Sequence, residues 1–296
     1  MNRHLTAGGI MLLFLLFLTF IGPLFPIIDN DRTIAGARYT DNGFEVAPFP
    51  PSAETPLGSD REGRDVLSLL VDGAQETLYI ILSIVAIRFI LAALLGIGGY
   101  YSKSIRGVLS LWSQLFSFMP SIFFVIFFAG LPFVMFSENR YLWLIFIIAA
   151  VEVGRTAELI KTSMDESAKK AYFEAGIVTG CSNWTLFKYY FWPELRLTAL
   201  TNFINDLGKT LFLIAQLTLV GVFFQNEFWS VRGGTVTTEN GSYIWPALLE
   251  DIHQDVFTAE WVILSTVGMI TFTMLTFYLL SNGIRRYYQE KYHQSN

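Results

Sequence analysis

The chain has 296 residues, of which 53% are hydrophobic and 16% aromatic, whereas only 15% are charged and the formal net charge is −5. Soluble domains carry about 25% charged residues, so this composition excludes an ordinary soluble protein. The single cysteine, Cys181, excludes an intramolecular disulfide, and the three histidines are too far apart for a metal-ligand motif. We expect neither a metal site nor a nucleic-acid partner.

Several apolar blocks are long enough to cross a bilayer at about 20 residues per helix. Because lipid offers no partners to free backbone groups, the blocks are predicted to be helices. They are Ala7–Ile28, Thr77–Tyr100, Val108–Phe136, Tyr141–Gly154, Leu197–Phe224 and Ala259–Ser281. The fourth block is short unless it extends beyond Gly154. The sequence therefore predicts an all-α membrane protein with six transmembrane helices.

The predicted regions follow from these blocks. Residues 1–28 are expected to be an uncleaved N-terminal anchor, because the apolar run exceeds a signal-peptide core and no small-x-small site follows Pro23. Residues 29–76 are predicted to be an external segment, residues 77–285 the transmembrane core, and residues 286–296 a cytoplasmic tail. The core includes a loop over 155–196 and an external loop over 225–258.

The distribution of Lys and Arg predicts the orientation. If the N-terminus is cytoplasmic, the inside segments hold 12 Lys or Arg residues and the outside segments hold 6. This asymmetry follows the positive-inside rule, so both termini and the loop over 155–196 are predicted to be cytoplasmic.

The segment before the second block contains Gly58 and Gly63, followed by Arg64-Asp65, which approaches the spacing of a phosphate-binding loop. The required lysine and hydroxyl are absent, so we reject a nucleotide site. We predict a turn followed by an amphipathic helix in the membrane interface. Its apolar face would comprise Val66, Leu69, Leu70 and Ala74.

The external loop over 225–258 is acidic, and its aromatic residues include Trp229, Tyr243 and Trp245. They could contact a ligand or a partner. An aromatic belt at the level of the lipid headgroups is the favoured interpretation.

The loop over 155–196 carries charges and helix signals between two apolar blocks. Ser163 and Glu166 have the spacing of a capping box, which predicts a helix start near Met164. Gly180 is predicted to end this helix and Ser182 to cap a second one containing Trp184. Pro193 would prevent the second helix from continuing unbroken into the fifth block. An apolar stripe would comprise Met164, Ala168, Ala171, Tyr172, Ala175 and Val178.

The result would be a helix hairpin with an unburied stripe. Two interpretations stay open: a connector folded against the undersides of the spans, and a plug that docks on a separate cytoplasmic protein.

Three charged residues fall inside predicted spans, where charges usually face the bundle interior or a wet cavity. They are Arg88, Asp206 and Lys209. Asp206 and Lys209 are three residues apart and can neutralise each other. Arg88 would then need Asp206, backbone carbonyls or substrate. A structural pair and a role in the translocation path are both open.

Residues 174–193, EAGIVTGCSNWTLFKYYFWP, resemble the E-A-A-x3-G-x9-I-x-L-P signature of permease subunits in binding-protein-dependent ABC importers. Glu174, Ala175, Gly180 and Pro193 match the signature in type and spacing. The departures are Gly176 for Ala, Tyr190 for Ile and Trp192 for Leu.

Residues 56–78, PLGSDREGRDVLSLLVDGAQETL, resemble a stretch of the dipeptide/oligopeptide branch of the same family. The matching positions include Gly58, Asp60, Gly63, Arg64 and Asp65. The F-L-G-L-G that is usual in the family is not evident in the loop over 225–258.

This resemblance implies a six-helix type I ABC importer (MetI-like) permease fold with a cytoplasmic coupling-helix hairpin. The ATPase-coupling residues would be Glu174, Ala175, Gly176, Gly180, Ser182, Trp184 and Pro193. ATP and Mg²⁺ would bind to partner subunits, and this chain would be neither an enzyme nor a cofactor carrier.

The implied partners are a homologous second permease, two cytoplasmic ATPases, an external substrate-binding protein and membrane lipid. The location would be the bacterial cytoplasmic membrane, and the cargo peptides or a related small solute such as a nickel complex. An exporter permease on the same fold is the alternative. A channel or a membrane enzyme is disfavoured, because the chain has no filter-like loop and no HExxH or GxSxG motif.

Overall fold

The N-terminal helix is shorter than the predicted first span. The computed structural model describes residues 3–29, 32–40, 43–231 and 235–293. Helix α1 covers Arg3–Phe20 and is followed by a 3-10 turn over Gly22–Leu24. Pro23 is the second residue of this turn and has no N–H to donate, so it does not extend the α-helix. The α-helix therefore ends well before Ile28.

Two short antiparallel hairpins accompany the helices. Strand β1 (Ala37–Thr40) pairs with β2 (Gly43–Val46), and β3 (Asn226–Val231) pairs with β4 (Thr235–Asn240). Both hairpins lie in segments predicted to be external. The strictly all-α prediction is wrong there, because runs such as TVTTEN combine β-branched side chains that favour strands.

Helix α2 (Val66–Tyr101) is continuous over 36 residues and joins the predicted interfacial helix to the second span. The apolar face predicted to lie on the membrane interface is instead buried in the protein. The backbone of α2 also contacts the C-terminal part of the chain, since the carbonyl of Leu70 accepts a hydrogen bond of 2.7 Å from the indole N–H of Trp245. The structure thus differs from the prediction of a separate interfacial helix.

The third predicted span, Val108–Phe136, is not one helix. It contains α3 (Lys103–Ser117), α4 (Ser121–Ala129) and α5 (Pro132–Met135). Helices α3 and α4 are bent by 92° relative to each other. Pro120 lies at the bend as the N-cap residue of α4 and cannot donate a helical hydrogen bond. This proline explains why the predicted straight span is wrong.

Helix α6 (Arg140–Ala168) extends the short predicted fourth span well beyond Gly154. The chain then forms α7 (Ala171–Val178), α8 (Asn183–Leu186), a π-helical segment over Phe187–Phe191, and α9 (Trp192–Leu219). Helix α9 ends before the predicted Phe224, because Gly221 adopts a φ of +79°. The Val222 N–H then bonds to the Leu217 carbonyl at 2.9 Å, which closes a Schellman cap.

The C-terminal part contains a 3-10 helix over Trp245–Leu249, α10 (Ile252–Thr258) and α11 (Glu260–His293). Trp245 is fully buried, and its backbone N–H donates to the Thr77 hydroxyl at 3.0 Å. The predicted aromatic belt is therefore wrong for Trp245. The side chain of Trp229 lies outside the described part of the structure.

Three of the described helices are long and apolar enough to cross a membrane, namely α1, α2 and α11. The bent pair of α3 and α4 adds a fourth candidate if it is taken as one broken span. Helices α6 and α9, with 29 and 28 residues, are not in this group.

The chain divides into two units. The first unit contains the described residues of 1–5, 82–207 and 280–296, and the second those of 6–81 and 208–279. The core of the first unit joins α2, α3, α6, α7, α8 and the start of α9. Its buried residues are Ala92, Leu109, Val153, Ala157, Ile160, Met164, Phe173, Leu186, Phe191 and Leu195.

Candidate functional site

The helix pair, which we define as residues 171–191, begins later than predicted. Helix α7 starts at Ala171, and Lys170 is its N-cap residue in an extended conformation. Ser163 lies inside α6, where its carbonyl accepts a hydrogen bond of 2.9 Å from the hydroxyl of Ser167. The predicted capping box at Ser163 is therefore wrong, because α6 is already helical there and continues to Ala168.

The turn of the helix pair agrees with the prediction. Gly180 has a φ of +78°, and the N–H of Cys181 bonds to the carbonyl of Gly176 at 3.1 Å. This is the Schellman geometry in which glycine is the favoured residue. The Ser182 hydroxyl accepts the N–H of Thr185 at 3.3 Å and so caps α8.

Pro193 does not stop the second helix. The chain remains helical, but the segment over Phe187–Phe191 has π-type hydrogen bonding. The N–H of Trp192 reaches back five residues to the carbonyl of Phe187. Because Pro193 has no N–H and its ring crowds the preceding turn, the wider π turn relieves the clash without ending the helix.

The inner face of the helix pair packs into the core of the first unit. Phe173 is 4% exposed, and its ring centroid lies 4.8 Å from that of Phe191. Gly176 is also buried and lies against Tyr190 and Leu186. This face supports the connector interpretation in part, because it attaches the pair to α6 and α9.

The outer face is apolar and exposed. Trp184 is 71% exposed and Val178 87% exposed, which is unusual for large apolar side chains outside a lipid or protein contact. The further exposed residues of the pair are Tyr172, Ile177 and Tyr189, and the exposed Trp192 follows directly at the start of α9. The predicted apolar stripe is therefore not one surface. Met164 is buried in α6, whereas the stripe residues of α7 are exposed, namely Ala171, Tyr172, Ala175 and Val178.

Glu174 lies on the exposed part of α7 and makes no ion pair with any residue that the structure describes. Ala175 beside it is also exposed. A free carboxylate next to an exposed apolar face can pair with a cation on a docking protein without breaking any contact in this chain.

An ion pair joins two residues that flank the helix pair, Lys170 before it and Glu194 after it. The sequence did not predict this ion pair. The Lys170 ammonium donates to the Glu194 carboxylate at 2.7 Å, and the Ser167 hydroxyl donates to the same carboxylate at 2.6 Å. Burial alone would lower the pKa of Lys170, but the hydrogen bond and charge of Glu194 raise it overall. Burial alone would raise the pKa of Glu194, yet hydrogen bonds from Lys170 and Ser167 lower it overall.

Arg88 and Asp206 come together inside the first unit. Arg88 is 2% exposed, and its Nη1 lies 3.6 Å from a carboxylate oxygen of Asp206. Its Nη2 donates to the carbonyl of Ile148 at 3.2 Å, while its Nε has no hydrogen-bond partner among the described residues. Lys209 is exposed. Asp206, backbone carbonyls and substrate were the expected partners of Arg88. The structure shows the first two, the carboxylate of Asp206 and the carbonyl of Ile148.

The turn before α2 is held by Asp60 and Asp65. One Asp60 oxygen accepts the N–H of Arg64 at 2.8 Å, and the other accepts from the Arg64 guanidinium at 2.7 Å. Asp65 caps α2, because its carboxylate accepts the N–H of Ser68 at 2.8 Å. The hydrogen-bonding groups of this turn serve the fold of the second unit.

Gly58 and Gly63 are required by the same turn. Their φ values are +75° and +81°, in the region that favours glycine. A Cβ at Gly63 would overlap the carbonyl of Ala35. The glycine spacing that approached a phosphate loop therefore reflects backbone geometry.

A family of membrane transport proteins matches most of the chain. The family is described as the inner membrane component of binding-protein-dependent transport systems, and its model matches residues 88–293. The chain belongs to this family. The matched range contains the helix pair, Arg88 and Asp206, whereas the turn over 58–65 precedes it.

Two curated relatives extend the similarity. The glutathione transport system permease protein GsiD of Pectobacterium atrosepticum is 22% identical over 288 residues, which cover 96% of this chain and 86% of that protein. The dipeptide transport system permease protein DppC of Alkalihalophilus pseudofirmus is 23% identical over 238 residues, which cover 79% and 71%. This family member is a permease subunit of an ABC importer, a non-catalytic membrane component.

Proposed function

We propose that this permease carries small peptides into the cell and that its helix pair transmits ATP hydrolysis from a partner ATPase to the membrane helices. The observation that carries the proposal is the two-sided helix pair. Its inner face is fixed in the core by Phe173 and Phe191, and its outer face is exposed at Val178 and Trp184. A partner that grips the outer face would therefore move the core of the first unit with it.

The coupling residues have distinct tasks in this proposal. Glu174 and Ala175 contact the ATPase, and Trp184 inserts beside them. Gly180 and Ser182 fix the turn between the two helices. Gly176 lets the pair close, and Pro193 maintains the π turn that leads into α9.

The proposed assembly contains this chain, a homologous second permease, two cytoplasmic ATPases that bind ATP and Mg²⁺, and an external substrate-binding protein. This chain supplies six spans to the bacterial cytoplasmic membrane, with both termini in the cytoplasm. At about 1.5 Å per residue, the 29 residues of α6 and the 28 of α9 are long enough to be the two remaining spans. The peptide cargo is supported by the names of the two relatives, which carry glutathione and dipeptides.

Reconstitution with the cognate ATPases and binding protein tests the proposal. Glu174→Lys is expected to reduce dipeptide uptake at least tenfold and to abolish solute-stimulated ATP hydrolysis, while the protein still inserts in the membrane. Glu166→Lys is the matched control, because it reverses an exposed charge at the end of α6, outside the helix pair. Normal coupled uptake by Glu174→Lys would reject the docking interpretation and leave the connector interpretation.

A further inference from the structure

A cavity of about 530 Å³ lies in the first unit where the bend between α3 and α4 meets α6. Its polar lining residues are Ser113, Ser117, Ser121, Glu152 and Arg155. We call it the kink cavity. Its volume is in the range of roughly 300–1,000 Å³ that is usual for small-molecule sites.

The broken backbone favours a water-filled kink cavity. Irregular backbone at membrane depth is tolerated where it is buried in protein or lines a water-filled cavity. Residues 118–120 are exposed, with Phe118 at 84%, so no other described part of this chain buries the break. Discontinuous helices also form solute sites in several transporter folds.

A polar stripe on α3 leads to the same cavity. Ser110, Ser113, Gln114 and Ser117 follow the i, i+3, i+4, i+7 spacing of one helix face. Gln114 donates to the hydroxyl of Ser110 at 3.0 Å, a hydrogen bond within the stripe. Leu111 and Leu115 are 71% and 59% exposed on a different face. The two exposed faces of α3 suit two environments, water on one side and lipid on the other.

Opposite charges face each other at the cavity wall. Arg155 Nη1 lies 3.5 Å from Glu152 Oε2, one helical turn away on α6. The side chain of Glu152 is 16% exposed, whereas that of Arg155 is 67% exposed. A carboxylate accepts hydrogen bonds from an ammonium group, and a guanidinium binds a carboxylate through two parallel hydrogen bonds. The wall therefore offers one site for each end of a zwitterion.

We propose that the kink cavity is a solute-contact site in the translocation path and that it takes a zwitterionic solute, with the ammonium at Glu152 and the carboxylate at Arg155. This inference rests on the proposed peptide-permease function. It adds a contact site and two specificity-determining residues to that function.

The first test measures hydration and occupancy. In the intact transporter in nanodiscs, on a Cys181→Ser background, we compare Ser117→Cys with Leu115→Cys for reaction with a charged, water-soluble thiol reagent. Ser117→Cys is expected to react at least tenfold faster, and saturating alanyl-alanine during ATP-driven turnover is expected to slow it several-fold. Equal rates at the two positions would overturn the proposal. Protection by anionic lipid without protection by the dipeptide would assign the cavity to lipid and also overturn it.

The second test separates the cavity charges from other charges on α6. Glu152→Gln and Arg155→Gln are expected to raise the KM for alanyl-alanine uptake at least fivefold. Glu158→Gln is the control. Glu158 forms a similar i, i+3 pair with Lys161, with 3.0 Å between Oε1 of Glu158 and Nζ of Lys161, and neither residue lines the cavity. If wild-type transporter moves no dipeptide, the proposed function fails. If it does and the cavity variants keep the wild-type KM, this inference alone fails.

Discussion

The ring of Tyr190 occupies the space beside Gly176 that a methyl group would need. A Cβ built at Gly176 would lie 2.9 Å from Cζ of Tyr190 and 3.1 Å from a methyl carbon of Leu186. Gly176 and Tyr190 are also two of the positions at which the helix pair departs from the family signature, which has alanine and isoleucine there. The departures therefore compensate each other, since the larger ring is accommodated by the missing methyl group.

This relationship predicts a rescue experiment. Gly176→Ala should destabilise the protein by about 1–3 kcal/mol, the usual range for overpacking. Tyr190→Ile in the same chain should recover most of this loss, because isoleucine is smaller at the contact. Thermal unfolding of the purified protein measures both effects. Gly107→Ala is the control, because a Cβ there meets nothing within 4 Å. A double variant as unstable as Gly176→Ala would show that the two positions are independent.

The turn at Gly180 predicts a graded series. A Cβ at Gly180 would meet nothing within 4 Å, so the cost of substitution comes from the backbone φ of +78° alone. Asparagine tolerates this conformation, alanine adopts it at a cost of about 1–2 kcal/mol, and proline cannot adopt it. Gly180→Asn should retain coupled uptake, whereas Gly180→Pro should abolish it with the spans still inserted. Equal uptake by the two variants would contradict a role for the turn in coupling.

The Lys170–Glu194 pair predicts a pH dependence. The lowered pKa of Glu194 means that its contribution is present above the ordinary value of 4.5 and lost as pH falls through the lower folded value. The raised pKa of Lys170 means that its contribution is present below 10.5 and lost as pH rises through the higher folded value. Between these limits, Glu194→Gln should be less stable than wild type.

Both side chains are partly exposed, at 44% and 35%, so solvent should limit this difference to about 1 kcal/mol or less. Unfolding midpoints measured from pH 3.5 to pH 8 for the two proteins test the prediction. A difference that stays constant below pH 4.5 would indicate that packing, and not the ion pair, causes the loss.

The buried guanidinium of Arg88 predicts a pairwise effect with Asp206. Arg88→Ala should impair uptake, and it removes a cation from a site that is only 2% exposed. Breaking a buried pair on one side costs about 3–5 kcal/mol, whereas removing both charges costs less. Arg88→Ala/Asp206→Ala should therefore be more stable than Arg88→Ala. Recovery of stability without recovery of uptake would identify a role in the translocation path, and recovery of both would identify a structural pair.

Signals between neighbouring residues predicted local structure well. Gly180 and Ser182 are a turn and a cap, as expected, because both conformations depend on residues within one helical turn. The capping box at Ser163 failed for a tertiary reason. Burial of Ile160, Met164 and Ser167 keeps α6 helical through the position where the local signal placed a new start.

Contacts between distant residues were beyond sequence reasoning. Glu194 is 24 residues from Lys170, and no spacing rule joins them. The bend between α3 and α4 had a visible signal in Pro120, but the apolar run around it resembled a single span. The kink cavity was not predicted for the same reason, since it depends on the direction in which the two half-helices leave the bend.

The π segment over Phe187–Phe191 makes the orientation of this surface tolerant of chain length. Each residue advances an α-helix by about 100°, and a π turn accommodates one residue more than an α turn does over nearly the same angle. Deleting one residue from this segment would therefore restore a regular α turn and leave the preceding helices in nearly the same orientation around the axis of α9. Trp184 would keep its exposed position. The deletion would instead return the ring of Pro193 to an α turn, so its cost should appear in the stability of the start of α9 and not in the outer face.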